Sequence, residues 1–205
     1  MILSCYKYSK QINKKLKVYW IPDESISYAL FADVFNPIKN ITFVYNYNNE
    51  PLDYRSDINC SALNKITNYN DMYKYLTPNN TINNRIDYLK KKINNKYISL
   101  HIRRTDHSSL AKNNKNFVTD DNYINKYPNY NIYLATDNRE TQDKFIKLYG
   151  KRLIVNKLID NNNSDLRKTS LKDSVIDIYM CVYSKVFKSS GFSSFSETIY
   201  CLRKV

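Results

Sequence analysis

Glycine is almost missing: Gly150 and Gly191 are the only two in 205 residues. A G-x-G-x-x-G dinucleotide loop or a P-loop needs several glycines at fixed spacing to bring backbone against phosphate, so dehydrogenase-like and kinase-like sites are excluded. Histidine is as scarce, with His101 and His107 alone, and the four cysteines (Cys5, Cys60, Cys181, Cys201) show no C-x-x-C spacing. Neither set builds a zinc cage, and no D-x-D pair offers a hard-cation clamp, so any chemistry is expected to run without a metal. The cysteines read as reduced thiols, since a chain of this length buries a core without disulfide staples. No apolar run approaches the ~20 residues of a membrane span, and the Met1-Ile2-Leu3 start turns polar too soon for a signal peptide. A cytoplasmic protein without a membrane span is expected.

What is abundant is basic and aromatic. Lys and Arg number 32 against 19 Asp and Glu, a formal charge of +13, and there are 20 tyrosines in an Asn-rich background. Asn, Lys, Tyr and Ile share AT-rich codons, so this bias points to an AT-rich genome before it points to a ligand. The lysines run through the whole chain instead of forming one stripe; they read as a dispersed positive surface, and no nucleic-acid partner is expected.

Apolar periodicity predicts a helix over 2–14, a strand over 17–21, a helix over about 25–35 and a strand over 41–45. Residues 47–80 are rich in Asn, Asp and Pro and read as a connecting region with one short helix. A domain boundary is expected near residue 80, giving a reduced α/β region over 1–80 and a second domain over 81–205. In the second domain helix and strand signals alternate: helix 82–95, strand 97–102, helix 120–126, strand 131–136, helix 138–149, strand 152–155, helix 170–184, strand 185–189 and helix 194–203. Such alternation predicts an α/β fold, a parallel Rossmann-like sheet with helices on both faces. Ligands of such sheets sit at the carboxyl ends of the strands.

Three strand ends carry polar clusters. After the first come Arg103-Arg104-Thr105-Asp106, and strand parity puts His101 and Arg103 on one side and Arg104 on the other. A guanidinium there can grip a phosphate by paired charge-assisted bonds, or Arg103, Arg104 and Asp106 can form only an ion-pair cluster at a turn. After the last strand, Gly191 lies among the serines Ser189, Ser190, Ser193, Ser194 and Ser196, just before a helix. Its free N–H groups suit an anion, or Ser193 or Ser194 simply caps the helix with Glu197 as capping-box partner. At Thr136-Asp137 the carboxylate either caps the following helix or accepts the donor pair of a guanine edge. Taken together, the three clusters describe a nucleoside-diphosphate pocket.

His101-Ile102-Arg103-Arg104-Thr105-Asp106 resembles the H-x-R-R-x-D motif of the α1,6- and related GDP-fucose fucosyltransferases. Ala135-Thr136-Asp137-Asn138 resembles the second motif of that superfamily, and the stretch from Asp173 to Ser196 its third, in the same order. The likeness covers about residues 80–205, with a weaker echo in Leu16–Trp20 and Ala32–Phe35. It implies a GT-B-like, metal-independent, inverting transfer from GDP-fucose as donor substrate, with no cofactor. By the same likeness His101 and Asp137 contact the guanosine, Arg103 binds the β-phosphate and is the catalytic group, Arg104 belongs to the donor site, and Ser193, Ser194 and Phe195 hold the pyrophosphate. Asp106 and Gly191 are structural neighbours of the site.

The chain departs from that family at its start, where a strand and a glycine-bearing loop are expected and a helix stands instead. The amino-terminal domain therefore reads as truncated. No carboxylate in residues 1–80 stands out as a general base; Asp23, Glu24, Asp33 and Asp53 read as solvated or capping, and the glycan or protein acceptor stays unnamed. The alternative is a non-catalytic or degenerate sugar-nucleotide-binding protein.

Overall fold

The computed structural model describes residues 2–22, 29–46, 70–94, 96–104, 119–124, 126–159, 170–191 and 193–205. The chain divides into two compact units, Met1–Asn79 with Lys204–Val205, and Asn80–Arg203.

In the first unit, helix α1 (Ile2–Gln11) and the strands β1 (Leu16–Tyr19) and β2 (Ile41–Val44) close on a small aromatic core. The two strands pair in parallel, with Leu16 opposite Ile41 and Tyr19 opposite Val44. Leu3 and Tyr6, one helical turn apart, bury against Phe31, Ile38 and Met72. Phe31 stacks on Phe43 with ring centroids 3.9 Å apart. The helix expected over 25–35 is only a single 3₁₀ turn at Phe31–Asp33 among its described residues; 23–28 lie outside them. The Asp33 carboxylate accepts the Leu30 N–H at 2.8 Å, and Pro37 disfavours helical backbone at Asn36, so the turn has no room to propagate.

The second unit holds a four-stranded parallel sheet built from β3 (Tyr97–Ile102), β4 (Asn131–Thr136), β5 (Leu153–Ile154) and β6 (Val186–Ser189), in the order β5-β4-β3-β6. Central strand β3 is buried along all its residues, as a parallel strand covered on both faces must be. Ile98, Leu100 and Ile102, with Ile132 and Leu134 beside them in register, face Phe145 and Tyr149 of helix α3 (Arg139–Tyr149). The alternate residues meet helix α4 (Leu171–Val182): the Tyr97 hydroxyl donates to the Met180 carbonyl at 2.7 Å and the Tyr133 hydroxyl to Asp177 at 2.5 Å. Helix α2 (Asn80–Lys92) packs beside α4, and helix α5 (Ser194–Leu202) follows β6 on the same face. Helices therefore cover both faces, the α/β architecture that alternation predicts.

The helix expected over 120–126 is a 3₁₀ turn, Asp120–Asn122, closed by one further bond from the Ile124 N–H to the Asp120 carbonyl. A single turn is too short to offset nucleation, and the Asp120 carboxylate is engaged elsewhere. Cys5, Cys181 and Cys201 are free thiols; Cys60 lies outside the described residues.

Candidate functional site

The sheet order locates the site before any side chain is considered. From β3 the chain winds outward through β4 to β5, then crosses to β6 on the other flank of β3. The reversal opens a crevice at the carboxyl ends of β3 and β6, where α/β sheets bind their ligands. His101 stands opposite Ser189, and one residue beyond β6 the Ser190 N–H donates to the His101 carbonyl at 2.9 Å. The Arg103 N–H in turn donates to Ser190 Oγ at 3.2 Å. The end of β3 and the approach to α5 are tied together by these bonds.

His101 is 7% exposed. Its Nδ1 lies 2.7 Å from Ser196 Oγ, and its ring stacks on Phe195 at 4.5 Å. Burial pushes the imidazole down to about 4; the Asp137 charge pulls the other way and the Arg103 charge adds to the fall. The ring is therefore neutral at pH 7, with one nitrogen held and its plane fixed.

The second arginine is committed differently. Arg104 Nη2 and Nε reach Asp120 Oδ1 at 2.6 and 3.2 Å, in a pair whose side chains are 12% and 17% exposed. Its N–H donates to Asp137 Oδ1 at 2.8 Å. Asp137 is thus bound to the backbone of the arginine pair and does not cap α3. The cap is the next residue, Asn138, whose Oδ1 accepts the Thr141 N–H at 2.8 Å. Asp106 lies outside the described residues.

At the start of α5 the capping-box expectation fails. Ser193 occupies the N-cap position but makes no side-chain cap bond, and Glu197 reaches back only through its N–H, to the Ser193 carbonyl at 3.0 Å. Ser193 is 2% exposed and its Oγ has no hydrogen-bond partner. An orphaned buried hydroxyl costs about 1–3 kcal/mol, and it sits where the N–H groups of Ser194, Phe195 and Ser196 have no intrahelical acceptor. Unbonded N–H groups and a positive dipole end at a helix start are the features that suit an anion. Ser194 is exposed, as is Gly191 at the bend before the helix.

Of the residues expected at the site, His101, Arg103, Ser193 and Phe195 gather at the β3–β6 crevice, Ser194 stands at the exposed start of the same helix, and Arg104 and Asp137 brace the far side of the same strand end. Ser190, Ser196 and Asp120 went unremarked as individual partners. Pairing of β3 with β6 points to Ser190, and one helical turn beyond Ser193 to Ser196; nothing local marks Asp120, which meets Arg104 across sixteen positions of sequence.

No protein-family model and no curated protein matches the sequence. Solved structures do match in fold. The fucosyltransferase NodZ from Bradyrhizobium aligns with a TM-score of 0.56 at 13% identity, covering 97% of this chain and 86% of that one. NodZ α1,6-fucosyltransferase soaked with GDP-fucose gives 0.59 at 15% identity over 98% and 86%, and the same enzyme co-crystallized with GDP gives 0.57 at 14% over 97% and 85%. The chain has the α/β, GT-B-like fold of these fucosyltransferases.

Proposed function

We propose that the protein is a glycosyltransferase that uses a nucleoside-diphosphate sugar, specifically GDP-fucose, and transfers fucose with inversion and without a metal. The observation that carries this reading is the unpartnered, buried Ser193 hydroxyl at the start of α5, beside a neutral, fixed His101 and the half-buried Arg103. That the fold neighbours are an α1,6-fucosyltransferase soaked with GDP-fucose and co-crystallized with GDP supports the donor's identity.

In this reading the pyrophosphate binds at the start of α5, taking the Ser193 hydroxyl and the first N–H groups of the helix. Arg103 lies against the β-phosphate. Ser196 holds His101 Nδ1, so the guanosine meets the other ring nitrogen, with Asp137 at the same strand end contacting the base. As the acceptor oxygen bonds to the sugar C1, the bond from C1 to the β-phosphate oxygen breaks and its electron pair stays on GDP. Arg103 and the helix start stabilise that charge; the acceptor proton passes to a base supplied outside these residues. Arg104, locked to Asp120, holds the strand end in shape. Residues 1–80 serve the acceptor side.

Titration calorimetry tests the donor claim: GDP should bind more tightly than ADP or UDP, and Arg103→Ala should weaken GDP binding and slow turnover of GDP-fucose by about 10²-fold. Equal affinities for the three nucleotides would remove the assignment. Binding of GDP without any release or transfer of fucose would leave a sugar-nucleotide-binding protein instead.

A further inference from the structure

The opposite end of the second unit's sheet, where its strands begin, is rich in lysine. The described stretches that reach it, residues 88–94, 96, 122–124, 126–131, 144–156 and 182–188, contain no Asp or Glu, although Asp87, one residue before them, is near enough to act on the Tyr183 hydroxyl. They bring Lys90, Lys91, Lys92, Lys96, Lys151 and Lys185 to this pole, and among the described residues none of these six forms an ion pair. The unit's ion pairs stand toward the other pole or midway: Arg104–Asp120, Arg139–Asp143, Lys144–Asp121 and Lys157–Asp173.

Cations at helix carboxyl ends are ordinary, because the macrodipole favours them. That explains Lys90 to Lys92 but not Lys96 and Lys185, which sit on the lead-ins to β3 and β6. With Asn94, Asn129, Tyr130 and Asn131 these two lysines line an open cleft of about 520 Å³. The pole's arginines are spent inward: Arg203 donates to the carbonyls of Cys181, Val182 and Ser184, and Arg152 to that of Pro128. What remains outward is lysine, a hydrated point charge without the planar fork that reads phosphates or bases in register. The carboxyl ends of α3 and α4 expose an apolar and an aromatic group, Leu148 at 44% and Tyr183 at 46%, the latter with Lys90 Nζ 4.7 Å over its ring.

We propose that this pole docks on an anionic lipid bilayer, with a headgroup phosphate or carboxylate received between Lys96 and Lys185. Lysine charge over tyrosine and leucine is the composition of a surface-bound protein. No helix among the described residues is long and apolar enough to cross a membrane, so the attachment is peripheral. The crevice at the carboxyl ends lies a strand length away, roughly 20 Å for a strand of this length.

Co-sedimentation of the full chain with vesicles tests the proposal. Vesicles of phosphatidylcholine with about 30% phosphatidylserine should bind the chain, pure phosphatidylcholine should not, and raising salt from about 0.05 to about 0.5 M should release it. Lys96→Glu/Lys185→Glu should weaken binding by about 10²-fold, and Lys96→Ala alone by about fivefold. Lys14→Glu/Lys15→Glu changes net charge equally in the first unit and should leave binding within about twofold. Thermal unfolding of each variant verifies that it is folded. The proposal is overturned if both double variants lose binding alike, if pure phosphatidylcholine binds as well, or if a DNA duplex binds through Lys96 and Lys185 more tightly than the anionic vesicles do.

Discussion

Ser193 and His101 make opposite demands on the residues around them, and each demand is measurable. Removing an orphaned buried hydroxyl removes its desolvation cost, so Ser193→Ala should leave the unfolding free energy unchanged or raise it by up to about 1 kcal/mol. The same change should weaken GDP binding by about tenfold, because a charge-assisted bond to the diphosphate is lost. Calorimetric unfolding and titration on one preparation check both halves; a Ser193→Ala protein that is less stable and binds GDP normally contradicts this role for Ser193. Arg103 and Arg104, adjacent in sequence, should separate in the same manner. Arg104→Ala strands the 17%-exposed Asp120, with Lys144 only 3.8 Å away as partial relief, and should cost about 2–4 kcal/mol of stability. Arg103→Ala should show its main effect in GDP binding and in the about 10²-fold slower turnover.

Within the elements, the scarcity of glycine has a structural answer. The described non-glycine residues with left-handed backbone are all asparagines: Asn13 after α1, Asn40 before β2 and Asn94 after α2. Only α3 ends on a glycine, Gly150, with φ at 53°. Asparagine is the side chain that tolerates this region best, so part of the Asn excess does backbone work that codon bias alone does not explain. Asn94→Ala should destabilise by about 1 kcal/mol and Asn94→Gly should not, by chemical denaturation. Across the sheet, α4 and β3 carry two groups whose titrations oppose. Asp177 is pushed up to about 7, first by burial and then by Asp173, against the pull of the Tyr133 bond. Folded-state protonation there means stability falls as pH rises from about 4 to about 7. His101, depressed by burial, does the reverse: the unfolded chain takes up its proton below about 6.5, so stability falls as pH drops toward about 4, by about 3 kcal/mol. The two slopes largely cancel, and Asp177→Asn should expose the histidine slope as a loss of stability on acidification. A flat profile in that variant would contradict the buried, neutral His101.

For the whole molecule, the two units differ in how much they bury. Among the described residues, the first has a two-stranded sheet and a small aromatic cluster, whereas the second closes a four-stranded sheet between helices. Amide exchange should be slowest at Leu100 and its neighbours in β3 and markedly faster in β1 and β2. Saturating GDP, at about a hundredfold above its dissociation constant, should add about 2.7 kcal/mol and raise the unfolding temperature by a few degrees. Much of this was legible from residue order. The run Tyr97–Ile102 has the near-continuous apolar character of a strand buried on both faces, and the alternation of 3.6 and 2 periods specifies a parallel α/β sheet, because each element must bury its apolar stripe on the next. That is also why the polar clusters could be assigned to strand ends. The partners within those clusters were not legible: Asn138 rather than Asp137 caps α3, Asp120 takes Arg104 across sixteen positions, and Ser196 takes His101 across ninety-five. Nor could a chain with lysines scattered along its length announce that the fold brings six of them to one end of a sheet. Periodicity and turn chemistry act over a few residues and are written locally, while hydrogen-bond partners and charge segregation depend on strand order and helix docking, which exist only once the sheet has closed.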